Sequence, residues 1–458
     1  MGEDDELVEL GELLAACVAA CSLGCREVQQ WEVERRTRTE TQAELKDPTD
    51  IRSYVTQADL ASQAVIVSAL QAEWPGLHIV GEEDGAVPVA VTTPGTAAAV
   101  RVERARLAGL ETDTMLAPLS ELTVLVDPVD GTRELVEGRL AAVQTLVGVA
   151  WRGRAVAGAV GLPFPNGELT ATPVVAYGLV GSGYGRACTR DKLEVEVETA
   201  IPSATAEQDT SLLYASGDSS SPVLAAAKAV LVAASARARE GAEWRLLGGA
   251  GNKLLAAAEG RVAAVLMHCG TSLWDTCAPE AVLRAMGGNV TDLFGAPIKY
   301  YLDRPGGLIN QFGVVGVGPG FEAGWGCSLA TVCAGMRSCP ALLRLLEPHS
   351  GPGSGQAGAQ AADVARCLQG SPLSTTWLQD KLLPSLPQAA RAARLLSYRA
   401  PEAGASRDLM SDVCRLQLEW DTTHPALPVS IFYKRIVIGD LAHARMKAKT
   451  APQKVKPH

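Results

Sequence analysis

"LTVLVDPVDGTRE", residues 122–134, is the stretch on which the reading turns. "LTVLV" has the apolar run of a buried strand. Pro128 cannot donate to a sheet ladder, so the strand is expected to stop near Asp127, and Gly131-Thr132 is suited to open a helix. Asp127 and Asp130 then stand together at a strand's C-terminal end, beside a helix N-terminus. Like charges that close repel unless a cation lies between them. Free N–H groups at a helix N-terminus hold phosphate, and hard carboxylate oxygens suit Mg²⁺, which takes its remaining ligands from water and phosphate. The stretch reads as a metal-plus-phosphate site. "DPVDG" also makes a serviceable surface turn, and this stretch alone leaves both readings open.

Two other stretches favour the metal. "IVGEED" puts Glu82 and Glu83 directly after a short strand, "LHIV" (77–80), that ends in Gly81. "SLWDTCAPE" puts Asp275 directly before the best-defined helix of the chain, "TCAPEAVLRAMGG". There Ala278, Ala281, Val282, Ala285 and Met286 repeat at helical spacing, and Gly287-Gly288 stops the run. Acidic positions at three element ends can converge as the ligand set of a two-metal site, which clamps the attacking and leaving oxygens of a phosphoryl transfer.

The totals agree with a soluble enzyme. The chain has 458 residues, 47% hydrophobic and 20% charged, which points to a large core and more than one unit. Its net charge of -10 argues against a nucleic-acid polymer or an anionic membrane as partner, since both need basic surface. The 11 cysteines include no CxxC. Cys17, Cys21 and Cys25 fall on one helical face without zinc spacing, so they read as packing residues of a reduced intracellular protein. The acidic start "MGEDDELVEL" lacks the basic character of a signal peptide or presequence, and a cytoplasmic location is expected.

Along the chain, residues 7–31 and 57–73 read as helices, the second with Leu60, Ala64 and Val67 on one side. Residues 86–120 read as a surface insertion, 143–162 and 171–190 as sheet, 222–239 as an Ala-rich helix and 261–268 as a strand. A phosphatase-sized unit is expected over 1–345, a Gly/Pro/Ser linker ("PHSGPGSGQAGAQ") over 346–370, and an accessory module of unassigned role over 371–458. In that module "VSIFYKRIVI" reads as a strand. Its Lys434 follows no Gly-rich loop and precedes no catalytic loop, so it reads as an ordinary strand lysine.

"TQADLASQAVIVSAL", "GEED", "DPVDGTRE" and "WDTCAPEAVLRAMGGNVTD", in this order, resemble the inositol monophosphatase superfamily of Mg²⁺-dependent, Li⁺-sensitive phosphatases. "VDPVDGTRELVEG", "GGAGNKLL" and "WDTCAPE" are more similar to its 3'(2'),5'-bisphosphate nucleotidase branch. The resemblance covers roughly residues 8–320. It implies an αβαβα layered α/β sandwich. It also implies that Glu82, Asp127 and the Val129 carbonyl hold one Mg²⁺, and that Asp127, Asp130 and Asp275 hold a second. Asp59, of "TQAD", and Thr132 would orient and deprotonate the attacking water with help from Glu82. Gly131, Thr132, Gly249, Lys253 and Asp275 would meet the substrate. The expected reaction is in-line attack of water on a small phosphomonoester, first of all the 3'-phosphate of adenosine 3',5'-bisphosphate. Inositol phosphates are the alternative substrates, and a non-catalytic phosphometabolite-binding protein is the alternative of another class.

One departure bears on the substrate. The nucleotidase branch carries a Thr-Arg-Ser-His pattern where this chain reads "YASGD" (214–218), with Tyr214, Ala215, Ser216 and Gly217 at the aligned positions. Trp274 and Cys277 read as core residues beside Asp275. Glu83 and Glu134 read as neighbours of the site rather than ligands.

Overall fold

The computed structural model describes residues 6–37, 43–45, 54–83, 115–191, 194–198, 212–219, 221–267, 270–302 and 308–343, together with five strands further on. Two compact units divide at Cys339/Pro340.

The first unit is layered. Helices α1 (Leu10–Thr37) and α2 (Gln57–Glu73) cover one face of a seven-stranded sheet. Its strands are β1 (His78–Gly81), β2 (Leu122–Asp130), β3 (Gln144–Trp151), β4 (Arg154–Leu162), β5 (Val174–Leu179), β6 (Gly183–Asp191) and β7 (Glu194–Glu198), ordered β7-β6-β5-β4-β3-β2-β1. All neighbours are antiparallel except β1 and β2, which run parallel. A short helix α3 (Thr132–Val136) follows β2.

After β8 (Leu213–Ser216) the chain continues with α4 (Pro222–Ala233), β9 (Glu243–Leu246), α5 (Ala250–Ala258), β10 (Ala264–Met267), α6 (Leu273–Ala285), β11 (Asn289–Thr291), β12 (Val314–Val317) and α7 (Leu329–Arg337). Strands β9-β8-β10-β12-β11 form a five-stranded sheet. Helices α5 and α6 lie between the two sheets, and α4 packs on the far side of the smaller one with α7. The αβαβα sandwich expected from the sequence is the observed architecture.

The core explains how α6 comes to be placed. Gly148 on β3, Gly158 on β4 and Gly178 on β5 face this helix. A Cβ at Gly158 would lie 2.2 Å from the Ala278 carbonyl oxygen, and one at Gly148 would lie 2.5 Å from the Ala278 nitrogen. The helix therefore lies directly on the backbone of the sheet. Leu146, Val282 and Leu283 are fully buried around this contact, each contributing roughly 1.5–3 kcal/mol. On the opposite face, the thiols of α1 are buried, and Cys21 donates to the Thr145 carbonyl at 3.3 Å.

Several sequence expectations shift in detail. The first helix starts at Leu10 and runs on to Thr37, past the expected end. The Ala-rich stretch is two helices, because Ser235 caps a second one, Ala236–Gly241. Helix α6 begins at Leu273, so Asp275 stands inside its first turn rather than before it. Strand β2 does not stop at Asp127. Asp127 pairs with Leu146 and Asp130 with Gln144, so the ladder passes Pro128 through a bulge, one of the few places a sheet accepts proline. The apolar line Leu60, Ala64 and Val67 of α2 divides, since only Val67 is buried. Leu60 is 46% exposed, while Asp59, Ser62, Gln63 and Ile66 are buried. The inward face of this helix carries the polar Asp59, Ser62 and Gln63 among the apolar Ala58, Ile66, Val67, Ala69 and Leu70.

The second unit holds an antiparallel sheet of Leu395–Arg399, Ser411–Trp420, Ser430–Ile436 and Arg445–Lys447, with Ser406–Asp408 paired to the second of these. The strand expected at "VSIFYKRIVI" is Ser430–Ile436, with Lys434 opposite Val413 and Arg445. The greater part of the expected insertion (86–114 of 86–120) and the expected linker (346–370) lie outside the described residues. Among the described residues, no helix is long and apolar enough to cross a membrane.

Candidate active site

Three local devices deliver the acidic groups. The first is the start of α2. Thr56 caps the helix by accepting from the Ala58 N–H at 3.1 Å, and Asp59 answers by accepting from the Thr56 N–H and hydroxyl, both at 2.7 Å. This reciprocal capping box pins one oxygen of Asp59. The other oxygen lies 3.2 Å from the Thr132 hydroxyl, which is also 3.0 Å from the Val129 carbonyl.

The second device is the bulge of β2. It turns Asp127, Val129 and Asp130 within one short loop, and the Val129 N–H donates to Asp127 Oδ1 at 3.1 Å. The Pro128 carbonyl between them accepts from Ser62 at 3.1 Å and Thr145 at 3.0 Å. Gly131 takes φ +84°, a conformation that favours glycine, and so lets the chain turn directly into α3.

The third device is the start of α6, where Asp275 accepts from the Ser272 N–H at 2.7 Å. This end of the helix is strapped by residues 308–310. The Leu273 N–H donates to the Leu308 carbonyl at 2.8 Å, and the Asn310 amide donates to the Ser272 carbonyl at 3.0 Å and to the Thr271 hydroxyl at 3.1 Å.

The bulge and the start of α6 bring Asp127 and Asp275 to Glu82, which follows β1, with one carboxylate oxygen of each lying within 4.8 Å of the other two. Among the described residues no other group of three or more His, Cys, Asp or Glu side chains lies so close. Burial pushes the Asp127 carboxyl well above its ordinary range, and the charges of Glu82, Asp130 and Asp275 push it further. Asp275 is raised in the same way, by burial first and then by Glu82 and Asp130. Such a trio, with hard oxygen donors and no cation of its own, fits a divalent metal ion.

Asp130 stands beside the trio with a second duty. Its two oxygens accept the N–H groups of Ala250 and Gly251, both at 2.8 Å, so it caps the first turn of α5. Burial raises its carboxyl, while the Lys253 charge and these two amides oppose the rise. The glycines of "GGAGNK" make the approach possible. A Cβ on Gly251 would lie 2.5 Å from the Gln144 side chain, and one on Gly249 would lie 2.8 Å from Asp130. Lys253 is buried, and its ammonium donates to the Gly249 carbonyl at 2.5 Å and the Leu247 carbonyl at 3.2 Å. Of the residues expected to meet the substrate, Asp275 belongs to the acidic group, Thr132 lies on Asp59, Gly131 turns the chain between Asp130 and Thr132, and Gly249 and Lys253 lie beside Asp130.

A sequence profile described as the inositol monophosphatase family matches residues 12–316. The chain belongs to the inositol monophosphatase family. It is 30% identical over 275 residues to human (Homo sapiens) 3'(2'),5'-bisphosphate nucleotidase 1, covering 59% of this chain and 82% of that protein. To the putative inositol monophosphatase 3 of Drosophila melanogaster it is 26% identical over 302 residues, 65% of this chain and 76% of that one. Among solved structures, CysQ from Bacteroides thetaiotaomicron, a bacterial member of the inositol monophosphatase family, aligns at 18% identity. That alignment has a TM-score of 0.44 and covers 67% of this chain and 97% of that chain.

As a member of this family the chain is a phosphatase, and the family's enzymes depend on metal. Several residues of the site carry no motif that sequence reading could catch. Gln63, Ser62, Thr145 and Asn310 look like ordinary polar residues until the fold shows which backbone groups they hold. Two signals lie in the sequence itself: Thr56-x-x-Asp59 and Ser272-x-x-Asp275 have the spacing of capping boxes, and each places its aspartate at the third position of a helix. The neighbours of the site also take definite places. Glu134 forms an ion pair with Arg139. Trp274 packs on the core beside Asp275. Cys277 is fully buried, and burial raises its thiol, which keeps it protonated and suits packing rather than attack. In "YASGD", Tyr214 to Ser216 are buried, and Asp218 is exposed and pairs with Arg133 at 2.7 Å.

Proposed function

We propose that the chain hydrolyses the 3'-phosphate of adenosine 3',5'-bisphosphate, and of 3'-phosphoadenylyl sulfate, to leave the 5'-nucleotide and inorganic phosphate. The observation that carries the reading is the Thr132–Asp59 contact of 3.2 Å beside the Glu82–Asp127–Asp275 group. It supports a proton relay beside a site for hard cations. Glu82, Asp127, Asp275, Asp130 and the Val129 carbonyl would hold Mg²⁺. When bound, the metal supplies charge neutralisation for the phosphoryl oxygens and lowers the pKa of water.

The chain's own groups account for the rest. Thr132 accepts a hydrogen bond from the attacking water and passes its own proton toward Asp59, whose second oxygen is already fixed by Thr56. Because that oxygen cannot turn away, the receiving oxygen stays aimed at Thr132. Asp130 holds the first turn of α5 against the site, so Gly249 before the helix and Lys253 within it are set at a fixed distance from the reacting phosphate. A third proton of the Lys253 ammonium is then offered toward a second anionic group of the substrate. The net charge of -10 speaks against an anionic polymer as partner, which leaves a small phosphorylated substrate.

The second reading, an inositol polyphosphate 1-phosphatase or inositol monophosphatase, is favoured by the loss of the Thr-Arg-Ser-His pattern at Tyr214 to Gly217 and by the Asp218–Arg133 pair there. Phosphate release decides among the readings. Full-length protein is incubated with Mg²⁺ and adenosine 3',5'-bisphosphate, inositol 1,4-bisphosphate, inositol 1-phosphate or fructose 1,6-bisphosphate, with and without Li⁺. The nucleotide is expected to turn over fastest, with Li⁺ inhibiting. Hydrolysis of inositol 1,4-bisphosphate without any of the nucleotide transfers the assignment to the second reading. Release from none of them with any divalent ion leaves a phosphometabolite-binding protein.

A further inference from the structure

The reading above uses α2 for one purpose, to carry Asp59. The same helix face carries two more buried polar residues, Ser62 and Gln63, three and four positions on. Each reaches a different ligand-bearing strand end. The Ser62 hydroxyl donates to the Pro128 carbonyl at 3.1 Å, between Asp127 and Asp130. The Gln63 amide forks onto the backbone of Glu83. Its Nε2 donates to the Glu83 carbonyl at 3.0 Å, and its Oε1 accepts the Glu83 N–H at 3.1 Å. This two-point contact is what a neighbouring strand would make.

Glu82 lies at the end of β1, an edge strand. On its ladder side the Glu82 N–H donates to the Val126 carbonyl at 3.0 Å. The Gln63 fork holds the next residue from the helix side. The space for it comes from Gly81, where a Cβ would lie 2.2 Å from Gln63 Oε1. A side chain at that position would evict the fork.

We propose that Gln63 is a positioning residue that fixes Glu82 against Asp127 and Asp275 and so sets the divalent-cation affinity of the site. The proposal rests on the reading of these three carboxylates as metal holders. Three like charges repel, and the edge of a sheet yields most easily to that repulsion. A clamp on the backbone beside Glu82 resists it before any cation arrives. Partners of metal ligands typically change affinity by about 10–100-fold.

The test is calorimetric titration of the metal-free, full-length protein with Mg²⁺, without substrate, for wild type, Gln63→Leu and Gln63→Glu. Gln63→Leu is expected to bind Mg²⁺ about 10–100-fold more weakly. Its kcat should return close to wild type once Mg²⁺ is raised to saturation, a split that general loss of structure does not produce. Gln63→Glu keeps the acceptor but loses the donor to the Glu83 carbonyl, and it adds a negative charge near the site. Positioning therefore predicts weaker Mg²⁺ binding, whereas added charge alone predicts tighter binding. This second variant decides the matter if Gln63→Leu does not fold. Wild-type affinity in Gln63→Leu, or tighter binding in Gln63→Glu, overturns the role of Gln63. No measurable Mg²⁺ binding by the wild type overturns the metal reading and the inference with it.

Discussion

Glu280 lies on α6, the helix that carries Asp275, and is fully buried. Its Oε2 accepts from the Tyr300 hydroxyl at 2.7 Å, and its Oε1 has no hydrogen-bond partner among the described residues. The Arg284 guanidinium stands 3.6 Å away and donates instead to the Ala155 carbonyl at 2.8 Å. Burial raises the Glu280 carboxyl from 4.5 to about 7, against the pull of the Tyr300 hydroxyl and the Arg284 and Arg154 charges. The neighbouring Cys277 thiol and Tyr300 phenol are themselves raised by burial and stay neutral. The folded chain thus keeps a proton that the unfolded chain releases above about 4.5. Folding stability must fall as pH climbs from there through about 7, and the loss is complete above that point. At ~1.4 kcal/mol per pH unit the loss amounts to roughly 3 kcal/mol. Glu280→Gln removes the ionisation while keeping an oxygen for Tyr300. The variant should match wild type near pH 5 and exceed it at pH 8 by up to roughly 3 kcal/mol, about 4 °C in Tm for a unit of this size. Thermal and urea melts of metal-free protein from pH 5 to 9 read this directly. Parallel curves for the two proteins, or a less stable variant at pH 8, would show that Glu280 is ionised in the native state and paired with Arg284.

Asp127→Asn should abolish turnover yet make the metal-free protein more stable at neutral pH, because the raised Asp127 carboxyl is held among like charges; near wild-type turnover or a lower melting point counts against the site. Thr132→Ala should lower kcat on the order of 10²–10⁴-fold, the range for a positioned proton-transfer group, and an unchanged rate removes Thr132 from the relay. Lys253→Ala should raise KM for adenosine 3',5'-bisphosphate by about 10–150-fold, the equivalent of one charge-assisted contact, with little change for a monophosphate. Equal effects on both substrates would confine Lys253 to holding the Leu247 and Gly249 carbonyls.

The carboxylates were legible in the chain because each stands where an element begins or ends, and turn residues mark those points. Asp127, Asp130 and Glu82 follow apolar strand runs, and Asp275 opens a helix with clear periodicity. The misreadings have specific causes. Pro128 was expected to end β2, but a bulge accommodates it, and bulges leave little trace in a single sequence. Leu60, Ala64 and Val67 group by apolar spacing, yet only Val67 is buried, because α2 also turns the polar Asp59, Ser62 and Gln63 inward. The fork of Gln63 onto Glu83 and the hold of Asp130 on α5 depend on contacts between distant parts of the chain. No local pattern announces them. Lys253 looked free to meet solvent or substrate because nothing in "GGAGNK" shows that its ammonium folds back onto its own loop.

The grip of Asp130 on the first turn of α5 also bears on how the protein is made. Its partner Ala250 lies 120 residues later in the chain. At about 5–20 residues per second of synthesis, the wait between the two is on the order of ten seconds. Throughout that interval the nascent chain already carries Asp59, Glu82, Asp127 and Asp130, but neither the amides of α5 nor Asp275. The early strands can pair with one another on the ribosome, since each neighbours the next in sequence order. The acidic pocket cannot close until the later helices arrive, so translation completes the enzyme's chemistry only past the middle of the chain, and a chain stalled before Ala250 would be folded in part and catalytically silent.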